Sequence, residues 1–126
     1  MNIIKIIIPC IALCLACCTA KTDSIAKNLK RQNSQFPEML TNDLRIDSII
    51  FLDKTNTLKY YYTVFNDSII INCNYDETQK NMATEIKTSQ SMKTFRNNKM
   101  IFEYIYISNE SKNILLRIVI PESMYK

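Results

Sequence analysis

Residues 44–52 read LRIDSIIFL, residues 53–57 read DKTNT and residues 58–65 read LKYYYTVF. Both apolar segments alternate with the period of two that a half-buried strand requires. In the first, Leu44, Ile46, Ile50 and Leu52 share one face, while Arg45 and Asp47 share the other with Ile49 and Phe51. In the second, Leu58, Tyr60, Tyr62 and Val64 oppose Lys59, Tyr61 and Thr63. The connection is short and has the composition of a turn, so the two segments make an antiparallel hairpin.

Working outward, residues 100–107 form the strongest strand. Met100, Phe102, Tyr104 and Tyr106 lie on one side of it, and Ile101, Glu103, Ile105 and Ile107 on the other. A polar turn at residues 108–112 sends the chain back through residues 113–120. There Ile114, Leu116, Ile118 and Ile120 oppose Leu115, Arg117 and Val119, and Pro121 ends the strand. Between the hairpins, residues 66–74 fit a strand extension or a helix start equally well. From Tyr75 the helical period takes over, with Met82, Ala83 and Ile86 on one face. Asn74, with Glu77 three residues on, is an N-terminal cap. A second helical turn at residues 91–96 sets Met92 and Phe95 three apart. Upstream, residues 23–35 carry a thin stripe of Ile25, Leu29 and then Phe36, and Pro37 stops the helix.

The expected fold is therefore α+β in the order α-β-β-α-β-β. It is a four-stranded antiparallel sheet of two hairpins, with an N-terminal helix and a helix between the hairpins. One side of this sheet collects Leu44, Ile46, Ile50, Tyr60, Tyr62, Val64, Phe102, Tyr104, Leu116 and Ile118. The other mixes Arg45, Asp47, Lys59, Glu103 and Arg117 with Ile49, Phe51, Tyr61, Ile101, Ile105 and Val119. Cross-strand charge pairs contribute only a few tenths to about 1 kcal/mol each. The apolar residues among them are costlier to leave in water, so either the N-terminal helix or a partner covers this face. Arg45, Asp47, Lys59, Tyr61, Glu103, Ile105 and Arg117 are the candidate interaction residues.

Residues 1–20 read MNIIKIIIPCIALCLACCTA. One lysine precedes an apolar run as long as a signal h-region and too short for the roughly 20 apolar residues of a spanning helix. Leu15-Ala16-Cys17-Cys18 resembles the lipobox of bacterial lipoproteins, whose cysteine is acylated and becomes the new N-terminus. Cys18 has Leu and Ala at the preferred upstream positions and is the favoured lipidation site; Cys17 is the alternative. Ordinary cleavage after Ala20, at a small-x-small site, is the other reading. Lipidation puts residues 21–126, a single small domain, on the periplasmic side of the outer membrane, because Thr19 lacks the acidic inner-membrane retention cue. Simple cleavage gives a soluble periplasmic or secreted protein.

Composition narrows the function further. The chain is 126 residues long with a formal net charge of +4, its basic residues dispersed among acids. No basic stripe exists, which argues against a nucleic-acid partner. There is no glycine, hence no phosphate-cradling loop or dinucleotide fingerprint, and no cofactor is expected. There is no histidine, the commonest general base and metal ligand. Cys10, Cys14 and Cys17 leave with a signal cut before Cys18, and lipid consumes Cys18. Cys73 is then left without an intramolecular disulfide partner. The apolar run of residues 69–71 leads into it, so burial is expected. As a nucleophile it would need a lysine or a helix N-terminus beside it. Arg45 with Asp47 reads as a cross-strand or solvated ion pair, and Asp76 with Glu77 as first-turn helix charges. No catalytic or metal-ligating residue is assigned.

Three runs also carry a resemblance: Phe36-Pro37-Glu38-Met39, then Leu44-Arg45-Ile46-Asp47-Ser48, then Tyr60-Tyr61-Tyr62-Thr63-Val64. Together they resemble a widespread family of small, functionally uncharacterised bacterial envelope domains. Thr88-Ser89-Gln90-Ser91-Met92-Lys93-Thr94-Phe95 and Phe102-Glu103-Tyr104-Ile105-Tyr106 look like the family's second half. The likeness spans residues 36–120. Relatives often carry a cysteine where Lys87 stands, another near the C-terminus, and glycine where Lys99 stands, so the disulfide such a pair would form is not possible here. The resemblance implies the fold and the compartment and brings no activity.

The expected function is a lipid-anchored periplasmic module that binds another envelope protein or a peptide through its sheet face or an edge strand. An inhibitor or immunity-type protein that neutralises one effector is the alternative. An enzyme or small-ligand carrier ranks third.

Overall fold

The computed structural model describes residues 22–126, so the signal and acylation expectations for residues 1–20 lie outside the described residues. Helix α1 (Thr22–Asn33) leads, through a cis Phe36–Pro37 peptide, into β1 (Glu38–Thr41), β2 (Leu44–Leu52) and β3 (Thr57–Val64). Helices α2 (Ser68–Ile71), α3 (Tyr75–Thr88) and α4 (Lys93–Asn97) precede β4 (Ile101–Ser108) and β5 (Ile114–Ile120).

The sheet corrects the expected architecture. It has five strands in the order β1-β2-β3-β4-β5, and β3 pairs with β4 in parallel. It is mixed, not a four-stranded antiparallel sheet of two hairpins. Both hairpins exist, since β2–β3 and β4–β5 are antiparallel. What differs is how they join. The helical segment after β3 carries the chain back to the end of the sheet where β3 began, and β4 then runs the same way. Strand β1 is four residues, EMLT, too short for alternation to reveal.

Ladder groups on β2 that β1 does not reach are taken by a side chain. The β1 register begins at Glu38 opposite Ile46. Farther along, Asn33 Nδ2 donates to the Ile49 carbonyl at 2.8 Å, and the Ile49 N–H donates to Asn33 Oδ1 at 2.8 Å. The amide at the end of α1 thus acts as a one-residue strand. Asn33→Leu leaves both backbone groups without these partners and is expected to lower the unfolding free energy by about 2–4 kcal/mol. An unchanged urea midpoint would show that water substitutes for the amide at no cost.

All the helices cover one face. Ile25 and Leu29 of α1, Ile70 of α2, Met82, Ala83 and Ile86 of α3, and Phe95 of α4 belong to one buried cluster with Leu58, Tyr60, Tyr62 and Val64. The parallel register sets Tyr60 beside Tyr104 and Tyr62 beside Tyr106. Their rings stack at 4.7 Å and 4.9 Å between centroids, with their planes nearly parallel at 15° and 12°. Like residues meet because a parallel pair in register repeats the same face along both strands.

Two irregularities redraw the faces expected from alternation. A bulge in β2 between Ile46 and Ser48 inserts Asp47, so the parity flips beyond it. Ile49 then pairs with Tyr60 and is buried, and Phe51 pairs with Leu58 and packs on the core. Ile50 and Leu52 move to the opposite face and stay exposed. A second irregularity, between Tyr106 and Ile107, sets Ile114 against Ile107, away from the core. The chain also meets its left-handed backbone positions without glycine. Lys99 has φ 57° and Asn56 has φ 52°. Asn56 recovers part of that conformational cost by donating from Nδ2 to the Asn98 carbonyl at 2.8 Å.

Candidate functional site

Among the described residues no helix packs on the second face of the sheet; the N-terminal helix joins the core instead of covering it. Reading across β2, β3, β4 and β5, the register gives rows on this face. One runs Arg45, Thr63, Ile107, Ile114 and the next Ser48, Tyr61, Ile105, Arg117. The third runs Ile50, Lys59, Glu103, Val119, and the last Leu52, Thr57, Ile101. Met39 of β1 adds to the first row beside Arg45. The large apolar side chains Met39, Ile50, Leu52, Ile114 and Val119 are all exposed here. In a small domain, so much apolar surface on one uncovered face is unusual without a partner.

The seven candidate residues all fall on this face: the register brings six of them together, and Asp47, the bulged residue, joins through Arg45 and Thr63. Ile105 differs in one respect: it is only 2% exposed, buried under its neighbours without joining the helix-side cluster. It supports the surface from below and offers none of it. Sequence alternation missed Ile50, Leu52, Ile114 and Met39, the first three because of the irregularities and the last because β1 was not recognised.

Two ion clusters punctuate the face. Arg45 Nε lies 2.6 Å from Asp47 Oδ1, its Nη2 donates to Thr63 Oγ1 at 3.2 Å, and Thr63 Oγ1 donates to Asp47 Oδ2 at 2.5 Å. The guanidinium also stands over the Phe65 ring, 5.3 Å from its centroid. The bulge makes this cluster possible, because the extra residue is Asp47 itself. In the other cluster Glu103 is shared, with Arg117 Nε at 3.1 Å from one carboxylate oxygen and Lys59 Nζ at 3.8 Å from the other. Such partly exposed pairs stabilise by up to about 1 kcal/mol each and serve chiefly to hold the side chains in place.

On the helix side, the phenol hydroxyls of Tyr60, Tyr104 and Tyr106 are fully buried and meet no hydrogen-bond partner among the described residues. Burial pushes all three phenols well above their ordinary range, with Tyr104 raising Tyr60 and Tyr106 further. Cys73 is half-buried, not enclosed as its apolar approach suggested. Its Sγ lies 3.4 Å from the Ile69 carbonyl, to which it donates, and burial raises its thiol above the ordinary value. That direction disfavours the thiolate. Asn74 caps α3 as expected, Oδ1 accepting from the Glu77 N–H at 3.0 Å. No group of three or more potential metal ligands forms among the described residues.

A family model matches residues 20–116, under the description of a domain of unknown function, DUF8479. The chain belongs to this family. No curated protein sequence matches it. Three solved structures share the DUF8479 chain's fold at low identity. A crystal structure of a Pseudomonas aeruginosa protein described as secreted superposes with a TM-score of 0.69 at 10% identity, over 82% of this chain and 91% of the other. The type II secretion system pilotin AspS of Vibrio cholerae gives 0.54 at 6% identity, over 78% and 85% of the two chains. The pilotin EpsS of the Vibrio vulnificus type 2 secretion system gives 0.52 at 11% identity, over 79% and 86%. At these identities the likeness is one of fold.

Proposed function

We propose that this DUF8479 domain is a non-catalytic interaction module of the bacterial cell envelope. It is held by lipid on Cys18 at the periplasmic side of the outer membrane, and it binds another envelope protein through the uncovered sheet face. The observation that carries the reading is the gathering of Met39, Ile50, Leu52, Ile114 and Val119, all exposed, on that one face. The export-type stretch at residues 1–20 supports the compartment. The fold shared with a protein described as secreted and with two pilotins of type II secretion systems supports both the compartment and the mode of action.

Two measurements test it. Mass spectrometry of the mature N-terminus should find acylated Cys18; an unmodified Lys21 at the N-terminus would remove the anchor. Crosslinking in intact cells followed by affinity capture should recover one envelope protein with the native chain and lose it with Tyr61→Glu. Tyr61 sits at the centre of the face between Ser48 and Ile105. Retention of the same partner by a folded Tyr61→Glu variant would take the binding surface off this face.

A further inference from the structure

A continuous set of the apolar residues of the uncovered face runs diagonally across the register, from Leu52 and Ile50 on β2 through Tyr61 on β3 and Ile107 on β4 to Ile114 on β5, with Ile105 buried beneath it; Met39, Ile101 and Val119 lie off this diagonal. The ion clusters lie one on each side of this stripe. Arg45 and Asp47 stand in the corner beyond Tyr61, and Lys59, Glu103 and Arg117 in the corner opposite. Three strand spacings across and three two-residue steps along make the stripe about 25 Å long. An α-helix of about 17 residues has that length.

The charges on the face do not balance. Its carboxylates, Asp47 and Glu103, are each already engaged by a cation, and Glu103 is shared between two. Arg117 is the most exposed of the paired groups at 53%, and its Nε lies 3.1 Å from Glu103. With about half of its side chain open to solvent, its guanidinium stands accessible beside the stripe. A second copy of this chain is a poor occupant, because it would oppose one cation-rich face to another. An extended peptide is poor too, because a sheet face presents side chains and no free ladder groups.

We propose that the stripe is the seat of an amphipathic helix from a partner protein, nearly five turns long, with an acidic residue on one flank that pairs with Arg117. This names the kind of partner for the binding face proposed above and rests on that reading. Apolar residues at i, i+3, i+4 and i+7 of the partner would cover Ile50, Tyr61 and Ile114 in turn. The acid would pair with the solvent-exposed part of the guanidinium.

The test uses the mature protein as the cell exports it and three fluorescein-labelled 18-residue peptides. One is a Leu/Ala amphipathic helix with Glu along one flank, the second replaces Glu with Lys, and the third scrambles the first so that amphipathicity is lost. Anisotropy is expected to show the Glu peptide binding at least tenfold more tightly than either control. Arg117→Glu should reverse the preference between the Glu and Lys peptides, and Ile114→Glu should weaken both. Both sites are at least half exposed, so the fold is retained. Equal binding of all three peptides, or no effect of Arg117→Glu, would overturn the proposal. So would self-association of the protein in sedimentation that Ile114→Glu abolishes, since the stripe would then seat a second copy. A cellular partner lost with Tyr61→Glu, with no Glu-peptide binding, refutes the helix while leaving the face in use.

Discussion

Raising the pH from 8 to 11 is expected to remove about 4 kcal/mol of stability from this domain through three tyrosines. Tyr60, Tyr104 and Tyr106 are fully buried, and burial holds their phenols neutral well above the ordinary value of 10. In the unfolded chain the same phenols ionise near 10. The folded-state value is the raised one, so the stabilisation is complete below pH 10 and is lost as pH climbs past it. Each group contributes a slope of about 1.4 kcal/mol per pH unit there. Three together approach the total stability of a small domain. Urea denaturation between pH 8 and 11.5, followed with tyrosinate absorbance, checks this. The absorbance of these residues should rise only as the protein unfolds; ionisation within a folded protein would contradict the burial. Tyr104→Phe should remove one share of the slope. It should also raise stability at neutral pH by about 1 kcal/mol, because a hydroxyl without a partner is deleted.

Phe102→Ala is expected to cost about 3–5 kcal/mol, the usual range for emptying a buried aromatic site. Phe102 is the junction between β4, α4 and the C-terminal segment. Its ring meets Phe95 edge-on at 6.0 Å and 80°, and Tyr125 at 5.7 Å and 72°. Tyr125 in turn donates its hydroxyl to the Met100 carbonyl at 2.5 Å. The cavity would therefore loosen two neighbours that touch the sheet through this ring. Hydrogen exchange should accelerate at Lys93–Asn97 and at Glu122–Met124 before it does elsewhere. Phe102→Leu, which refills most of the volume, should cost much less. A loss below about 1 kcal/mol for the alanine variant would mean that Phe95 and Tyr125 collapse into the space.

Local information carried much of the structure because the relevant interactions are local. Alternation in residues 44–52 and 58–65 reflects a side chain's contact with one face or the other, and the short polar link closes the hairpin. Helix α3 was legible from Met82, Ala83 and Ile86 at helical spacing and from the Asn74 cap, whose bond to Glu77 spans three residues. The grouping of Arg45, Asp47, Lys59, Tyr61, Glu103 and Arg117 on one face follows from the same parity arguments. The irregularities lie outside such arguments. A bulge at Asp47 is stabilised by Arg45 and Thr63, and Thr63 belongs to another strand. Once the bulge forms, Ile49 and Ile50 exchange sides, and no pattern within residues 44–52 distinguishes the two outcomes.

The amino-acid sequence by itself determined the two hairpins, helices α1 and α3, the turn at Met92 and Phe95, and a polar-apolar face, since each depends on residues within a few positions of one another; residues 68–71 it left open between strand and helix. Tertiary structure alone decided that β3 and β4 run parallel, because direction is set by where the helical crossover returns the chain, and it returns where the helices bury Met82, Ile86 and Phe95. That pairing stacks the tyrosines, gathers every helix on one side, and leaves the diagonal from Leu52 to Ile114 uncovered.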